Sequence, residues 1–381
     1  MTLHAQSIMA TARSLADAVA SRAAEADRQG AMPPEDASDL MESGFLRMVV
    51  PAEYGGLDLP MADCIAAHLE LAKASASTAL VAGMTIQVFG NEREQRTWPQ
   101  AMYARLCRAV AEGALINSVA SEPNMGSPSR GAFYETNAVL TDDGWLINGH
   151  KQWITGGRHL THMLVKLSIG EEDATILVPA DAKGLDWHET WGESLSLRAS
   201  NSHDLYLNDV LVPEENLVTR GTVPKKGPNA WFPMVSASVY LGAALAARDA
   251  VIAYALERVP TALGEPIATL PKIQRQIGEL DAKLQAARTL LLDAAQRWDP
   301  NNREAAYPRI VMAKHVATTT AASATGDALR IAGGSAIGTA LPIERYFRDS
   351  QAGSMHPPSG DTALEIIGRY AIDRFQEGTH A

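Results

Sequence analysis

The chain is poor in cysteine: Cys64 and Cys107 are its only two, far apart and without metal-ligand spacing. This excludes a disulfide framework and a cysteine zinc site, and it fits a reducing compartment. Positive charge is short as well. Lys and Arg number 33 against 44 Asp and Glu, giving a formal net charge of −11. A general nucleic-acid binder carries a basic surface, so no nucleic-acid partner is expected. An anionic ligand needs a local cluster of cations instead. The opening stretch "MTLHAQSIMATARSLADAVASRAAEADRQG" scatters charges through an alanine-rich helical pattern and has no apolar core of signal-peptide length. No window reads as a membrane span. The expectation is a cytoplasmic protein with no membrane partner. Familiar nucleotide and metal patterns are missing too. There is no Walker loop, and "GGSAIG" (333–338) has the wrong spacing for a dinucleotide fingerprint and follows a helical segment. His159 and His162 stand three apart on a loop-like stretch with no carboxylate pattern, so no metal site is expected.

What is present reads as three textures. Residues 1–115 repeat Ala, Leu, Ile and Met at helical spacing, with "PAEYGGLDLP" (51–60) as a turn between helices. Residues 116–222 read as a small β domain. "ETNAVLTDDGWLINGHKQWIT" alternates about a "DDG" hairpin turn, and "HMLVKLSI", "ATILVPA" and "SHDLYLNDVLVP" are further short strands. Residues 223–381 are helical again. "SASVYLGAALAARDAVIAYALER" (236–258) is apolar on more than one side and predicts a buried helix. The segment 269–298 has Thr269 as a cap, Pro271 in the first turn, and a stripe of Ile273, Ile277, Leu280, Leu284 and Ala287. A third helix is predicted over 309–334, ending at glycines, and a last one starts near Thr362. The fold class is therefore mostly α with a central β domain and a C-terminal antiparallel four-helix bundle.

Three islands carry chemistry. In "SVASEPNMGSPSRG" (118–131) small residues allow close backbone approach, and Ser121 and Ser127 offer hydroxyl donors. In "GHKQWITGG" (149–157) Trp153 and Thr155 are two apart, which on one strand puts an aromatic plate and a hydroxyl on one face. In "PIERYFRDS" (342–350) Glu344, Arg345, Arg348 and Asp349 are expected to form ion pairs. Beyond them, "HPPSGDT" (356–362) reads by itself as a helix start. Thr362 and Glu365 have capping-box spacing, and Asp361 favours the positive helix end.

In this order and spacing, the islands resemble the acyl-CoA dehydrogenase family over nearly the whole chain. "PAEYGGLDLP" is similar to the family's P-E-x-x-G-G turn, "SEPNMGS" to T-E-P-G-A-G-S-D, and "INGHKQWITGG" to I-N-G-x-K-x-W-I-T-N-G. "SLRASNSHDLYLNDVLVPEENLV", "YALER" and "RIAGGSAIGTALPIERYFRDS" match further family patterns in sequence order. The resemblance implies a flavin, FAD rather than FMN, bound without a phosphate loop. It places Ser121 and the Ala120 backbone at the flavin ring, Gly126 and Ser127 along the diphosphate, Trp153 beside the ring, and Thr155 near flavin N5. It gives Gly333, Gly334 and Arg258 to the FAD of a neighbouring subunit, and hence implies a homo-oligomer, a dimer or tetramer. The implied substrate is an acyl thioester and the implied electron acceptor an electron-transfer flavoprotein. Three departures stand out: "RVPTALG" lacks the family aromatic after Arg258, Pro128 replaces the Asp of G-S-D, and Arg330 replaces a Gln, an extra cation that is a candidate partner for a cofactor phosphate or for a nearby acid.

The family reaction takes an α-proton with a carboxylate while a β-hydride goes to flavin N5. That carboxylate is usually the Glu of Y-E-G-T, about eight residues after R-D; here His356 stands where the Tyr should be and Pro357 where the Glu should be. The other position used by some members lies in "NAWFPMVSAS", which has no acid. Aligning from the last helix puts Gly360-Asp361-Thr362 near E-G-T. Asp361 and His356 are therefore the candidate catalytic groups. The expected function is α,β-desaturation of a carrier-bound acyl thioester. The alternatives are a flavin monooxygenase or oxidase on the same fold, and a base-less subunit of a hetero-oligomeric dehydrogenase.

Overall fold

The computed structural model describes residues 3–124, 134–376 and 378. The N-terminal part packs α1 (Leu3–Ala20), α2 (Ala23–Gln29), α3 (Pro34–Glu42), α4 (Met61–Ala74), α5 (Ala76–Gln95) and α6 (Gln100–Ala111). The strands follow: β1 (Ile116–Val119), β2 (Asn137–Thr141), β3 (Gly144–Ile154), β4 (His162–Ile169), β5 (Glu172–Pro179), β6 (Leu185–His188), β7 (His203–Val212) and β8 (Leu217–Arg220). The C-terminal part holds α7 (Trp231–Glu257), α8 (Pro271–Gln296), α9 (Arg303–Ala332), α10 (Ile343–Ser350) and α11 (Gly360–Gln376). The sheet runs β6-β7-β3-β2-β4-β5-β8, with β1 added in parallel to β4. The β2–β3 hairpin turns at Asp142-Asp143, where the alternation predicts it.

Helix α7 is the axis of the molecule, packed by α4, α5, α8, α9 and α10. Contrary to the sequence expectation, it is long and apolar enough to cross a membrane by length and composition, with an 18-residue window of mean hydropathy 1.4. Most of its residues are buried against protein. Its close approach to α4 and α5 depends on small residues. A Cβ on Gly242 would lie 2.4 Å from the Ala72 Cβ, and one on Gly90 would lie 2.3 Å from the Trp231 indole.

Two helix starts differ from the sequence reading. Thr269 does not cap α8: its hydroxyl donates to the Pro266 carbonyl inside a short 3-10 turn, and Leu270 is the cap residue. Pro271 does open the helix, and Leu280, Leu284 and Ala287 are buried along the predicted stripe. Helix α9 starts at Arg303, ahead of the predicted 309, and runs through Pro308. The buried Arg303 guanidinium, bonded to Glu94 at 2.7 Å, anchors this extra turn despite the proline.

Candidate active site

The first cluster forms where β3 ends beside the segment after β1. Gln152 N donates to the Ser121 carbonyl at 3.0 Å, and the Gln152 side chain donates to the Glu122 carbonyl at 3.1 Å. Glu122 itself is buried. It accepts Lys151 Nζ at 2.6 Å and the backbone N–H groups of Glu135 and Thr136 at 2.7 and 3.1 Å. Burial opposes the charge of Glu122, but the Lys151 bond and the two N–H donors prevail and hold it below the usual carboxylate range. Sequence reasoning passed over this pair, although "SEP" and "GHK" each carry one half of it. It fixes Ala120 and Ser121, both half-buried, against β3. The Ser121 hydroxyl has no hydrogen-bond partner among the described residues. Gly126 and Ser127 lie outside the described residues.

Trp153 and Thr155 do not share a face by simple strand alternation. The β3–β7 register shifts between Lys151 and Ile154, and Trp153 has a left-handed φ of 57°. The indole is 57 % exposed, whereas Thr155 is buried beyond the end of the strand. The Thr155 hydroxyl sits 2.9 Å from that of Ser202, which in turn is 2.8 Å from that of Ser200. Asn117 donates to the Thr155 carbonyl at 3.0 Å and leaves its own Oδ1 buried without a partner. An exposed aromatic plate in a strained backbone, an unpaired serine hydroxyl and an orphaned amide oxygen fit a flat, polar-edged heterocycle such as flavin.

A second group gathers at the far end of α7. Tyr254 donates its hydroxyl to Ser335 at 2.8 Å, which ties this end to the turn holding Gly333 and Gly334. Both glycines are exposed, and a Cβ on either would meet no atom within 4 Å. Arg258, one turn beyond Tyr254, is exposed and has no ion pair among the described residues. These three residues fit an anionic group supplied from outside the chain. Arg330 is exposed and pairs with Asp327, which also takes Lys283 at 3.2 Å.

The third cluster concerns the two candidate bases, and the fold separates them. Asp361 lies exposed in the first turn of α11, with no side-chain hydrogen bond among the described residues. Thr362 does not cap that helix: its Oγ1 accepts a weak 3.4 Å bond from Ser359, and the helix starts at Gly360. His356 is half-buried. Its Nε2 lies 2.6 Å from the Tyr240 hydroxyl, and its ring packs against Phe232 and Tyr240 at centroid distances of 5.7 and 5.6 Å. Nδ1 has no protein partner among the described residues. Burial, and then the Lys314 charge, pull the imidazole down to about 4, so it is neutral at physiological pH. Lys314 is buried and donates to the carbonyls of His356 and Pro358 at 2.8 and 3.0 Å.

The ion pairs expected along α10 form only in part. Arg348 does bind Glu344 at 2.8 Å and Asp27 at 2.5 Å. Arg345 and Asp349 stay apart: Asp349 accepts Leu197 N at 2.8 Å, and Arg345 Nη1 is buried without a partner. Helix α10 is thereby fastened to α2 and to the loop before β7.

A cavity of about 890 Å³ opens between α5, β4, β5, β8 and residues 221–229. Gln87, Asn91, Ser118, Lys166, Lys225 and Asn229 are among its walls. The Asn91 Oδ1 is buried and unpaired. Asn229 Oδ1 accepts the N–H groups of Trp231 and Phe232 at 2.9 and 3.4 Å, so the cavity wall caps the helix whose Phe232 touches His356. Lys166 and Lys225 repel each other there, and burial with that repulsion lowers the proton affinity of Lys166. The charged walls are mixed: Lys166 and Lys225 stand among the carboxylates of Glu92, Glu171, Glu172 and Asp173.

Three family profiles match the chain: acyl-CoA dehydrogenase N-terminal domain over residues 2–105, middle domain over 118–210, and C-terminal domain over 234–358. The chain is 35 % identical over 363 residues to YdbM of Bacillus subtilis, named as a candidate acyl-CoA dehydrogenase, covering 94 % of this chain and 95 % of that one. Among solved structures, butyryl-CoA dehydrogenase from Megasphaera elsdenii superposes with a TM-score of 0.84 at 23 % identity, covering 98 % of this chain and 99 % of that one. The FMN-bound TdsC from Paenibacillus sp. A11-2 superposes with a TM-score of 0.85 at 23 % identity, covering 96 % and 97 %. At that identity the two structures share the fold.

Proposed function

Because the chain belongs to the acyl-CoA dehydrogenase family of FAD-dependent oxidoreductases, we propose that it desaturates an acyl thioester, with His356 taking the α-proton. The observation that carries this is the seat of His356. By the count from Asp349 it stands where the family has the Tyr of Y-E-G-T, next to Pro357 at the Glu position, and it is held between Phe232 and Tyr240 with Nδ1 free among the described residues. FAD, rather than FMN, supplies the hydride acceptor when bound. Ser121 and Thr155 would hold the ring edge, Trp153 would flank it, and Gly126 and Ser127 keep the diphosphate by their place in the motif. Arg258, Gly333 and Gly334 serve the cofactor of a second copy, so the working state is a homo-oligomer, a dimer or tetramer. The 890 Å³ cavity takes the polar arm of the carrier, whose anionic end would have to meet Lys166 and Lys225 while clearing the wall carboxylates Glu92, Glu171, Glu172 and Asp173. An electron-transfer flavoprotein is the acceptor, and the setting is cytoplasmic.

A neutral imidazole of low proton affinity is a weak base. Hydrogen bonds to the thioester oxygen must therefore carry much of the α-C–H activation. The test is anaerobic mixing of the flavoprotein with acyl-CoA thioesters of graded length. Bleaching of the flavin, slowed by α-deuteration and reduced about 100-fold in His356→Gln, is expected. If no thioester bleaches the flavin, the reading is wrong.

The same low proton affinity favours a second reading, an oxygen-using monooxygenase or oxidase. There His356 would act as a neutral hydrogen-bonding group instead of a proton acceptor. It predicts oxygen consumption with turnover of a small substrate, independent of an electron-transfer flavoprotein.

A further inference from the structure

Two lysines are fully buried among the described residues, Lys151 and Lys314. Lys151 has Glu122 for a counter-ion. Lys314 has no carboxylate partner; its ammonium meets only the carbonyls of His356 and Pro358. Burying an ammonium without a counter-charge is costly, and an apolar side chain of similar volume is usually as stable or more so. Core packing therefore does not account for a lysine here. We infer that Lys314 is a positioning residue for the reaction: it clamps the loop after α10 from below and holds the His356 imidazole on the Tyr240 hydroxyl in one orientation. This rests on the reading of His356 given above.

The loop is pinned from three sides. Gly353 lies so close to Tyr240 and Thr318 that a Cβ would come within 2.9 Å of both. Lys314 fixes the carbonyls on either side of Pro357. Tyr240 then takes Nε2, and Nδ1 is left free. The charge adds something a neutral donor does not. Set beside His356, it keeps the resting ring neutral and so open to the α-proton, at a cost in base strength, while the Tyr240 contact fixes the tautomer. The titratable groups facing this ring are Lys314 on α9 and Tyr240 on α7, and Asp349 on α10 acts on Tyr240.

The experiment uses full-length flavoprotein with 15N- and 13C-labelled histidine, in wild type, Lys314→Met, Lys314→Gln and Lys314→Arg. In wild type the His356 ring nitrogens should show a single tautomer that resists protonation. In Lys314→Met the midpoint should rise by about one unit and the two tautomers should average. Bleaching by butyryl-CoA should fall about 10- to 100-fold, as expected for a misplaced group. Lys314→Arg should recover most of both. If the Met variant does not fold, Lys314→Gln, which keeps a donor but no charge, decides by the same two readouts. An unchanged midpoint and tautomer in both neutral variants would overturn the proposal. Full bleaching in His356→Gln would instead remove the role of His356, whatever the Lys314 variants do.

Discussion

Asp361 and His356 stand five residues apart, and either fits the gap left by the missing Glu. Their surroundings divide them. Asp361 meets water and the positive end of α11, so Asp361→Asn should leave turnover within about twofold and cost at most about 1 kcal/mol. Stopped-flow bleaching and a melting curve check both numbers. A large loss of turnover would make Asp361 the base after all. Asp349 gives a sharper residue-scale prediction. Burial raises its carboxyl from 3.8 to about 6, against the Leu197 N–H bond that favours its charge. The folded form holds the proton more tightly than the unfolded form. Its stabilising contribution is thus complete below the unfolded pKa and is lost as pH rises through the folded one. A shift of this size corresponds to about 3 kcal/mol. Asp349→Asn keeps the acceptor for Leu197 and should raise Tm at about pH 7.5 more than at about pH 4. Equal shifts at both pH values would contradict it.

At the scale of elements, the boundaries that the sequence misplaced share one cause. A helix start is decided by what its first turn touches. The sequence reading starts the helix at 309, but Arg303 buried on Glu94 pulls α9 back past Pro308. The β3 end behaves likewise. Period-two logic puts Trp153 and Thr155 on one face, and a bulge that no local pattern announces separates them. Close packing of α5 on α7 yields a direct test. Gly90→Ala would drive a methyl into the Trp231 indole and should cost about 1–3 kcal/mol, read by denaturant unfolding; a neutral effect would mean the two helices can part freely. The cavity offers another. Lys225→Glu should raise KM for a CoA thioester with kcat little changed, because it alters binding and not the reacting centre. A fall in kcat alone would count against the cavity as the carrier site.

Across the whole molecule, α11 is the least covered α-helix among the described residues. Only Ala363 of it is buried, while Leu364, Ile372 and Phe375 are exposed on one side, Phe375 by 78 %. These are spaced at near-whole helical turns, as an interface stripe is. With Arg258 and the glycine pair exposed and Arg258 without an ion pair among the described residues, the expected particle in sedimentation is a dimer or tetramer; a monomer with full flavin would remove the shared cofactor site. Stability of the whole chain should fall in acid. His68 is buried between Ser238 and the Ala79 carbonyl and is pulled down to about 4 by burial. Its folded value lies below the unfolded one, so its contribution is present above about pH 6.5 and is lost as pH falls through the folded value. Asp349 offsets part of that loss, so the acid decline should be steeper in Asp349→Asn.

The sequence by itself determined the helix–β–helix order, the buried α7, the stripe of α8 and the family, because periodicity and ordered motifs are local and survive without neighbours. It also marked the loop from His356 to Thr362 as the place where the expected base is absent. Only the tertiary structure gave Asp361 and His356 different surroundings, one exposed and one half-buried, since these depend on Phe232, Tyr240 and Lys314, which lie far away in the chain. It likewise paired Glu122 with Lys151 and denied Asp349 the partner that α10 seemed to offer. Burial and partnership are set by elements that meet only after folding, and proton affinity follows from them.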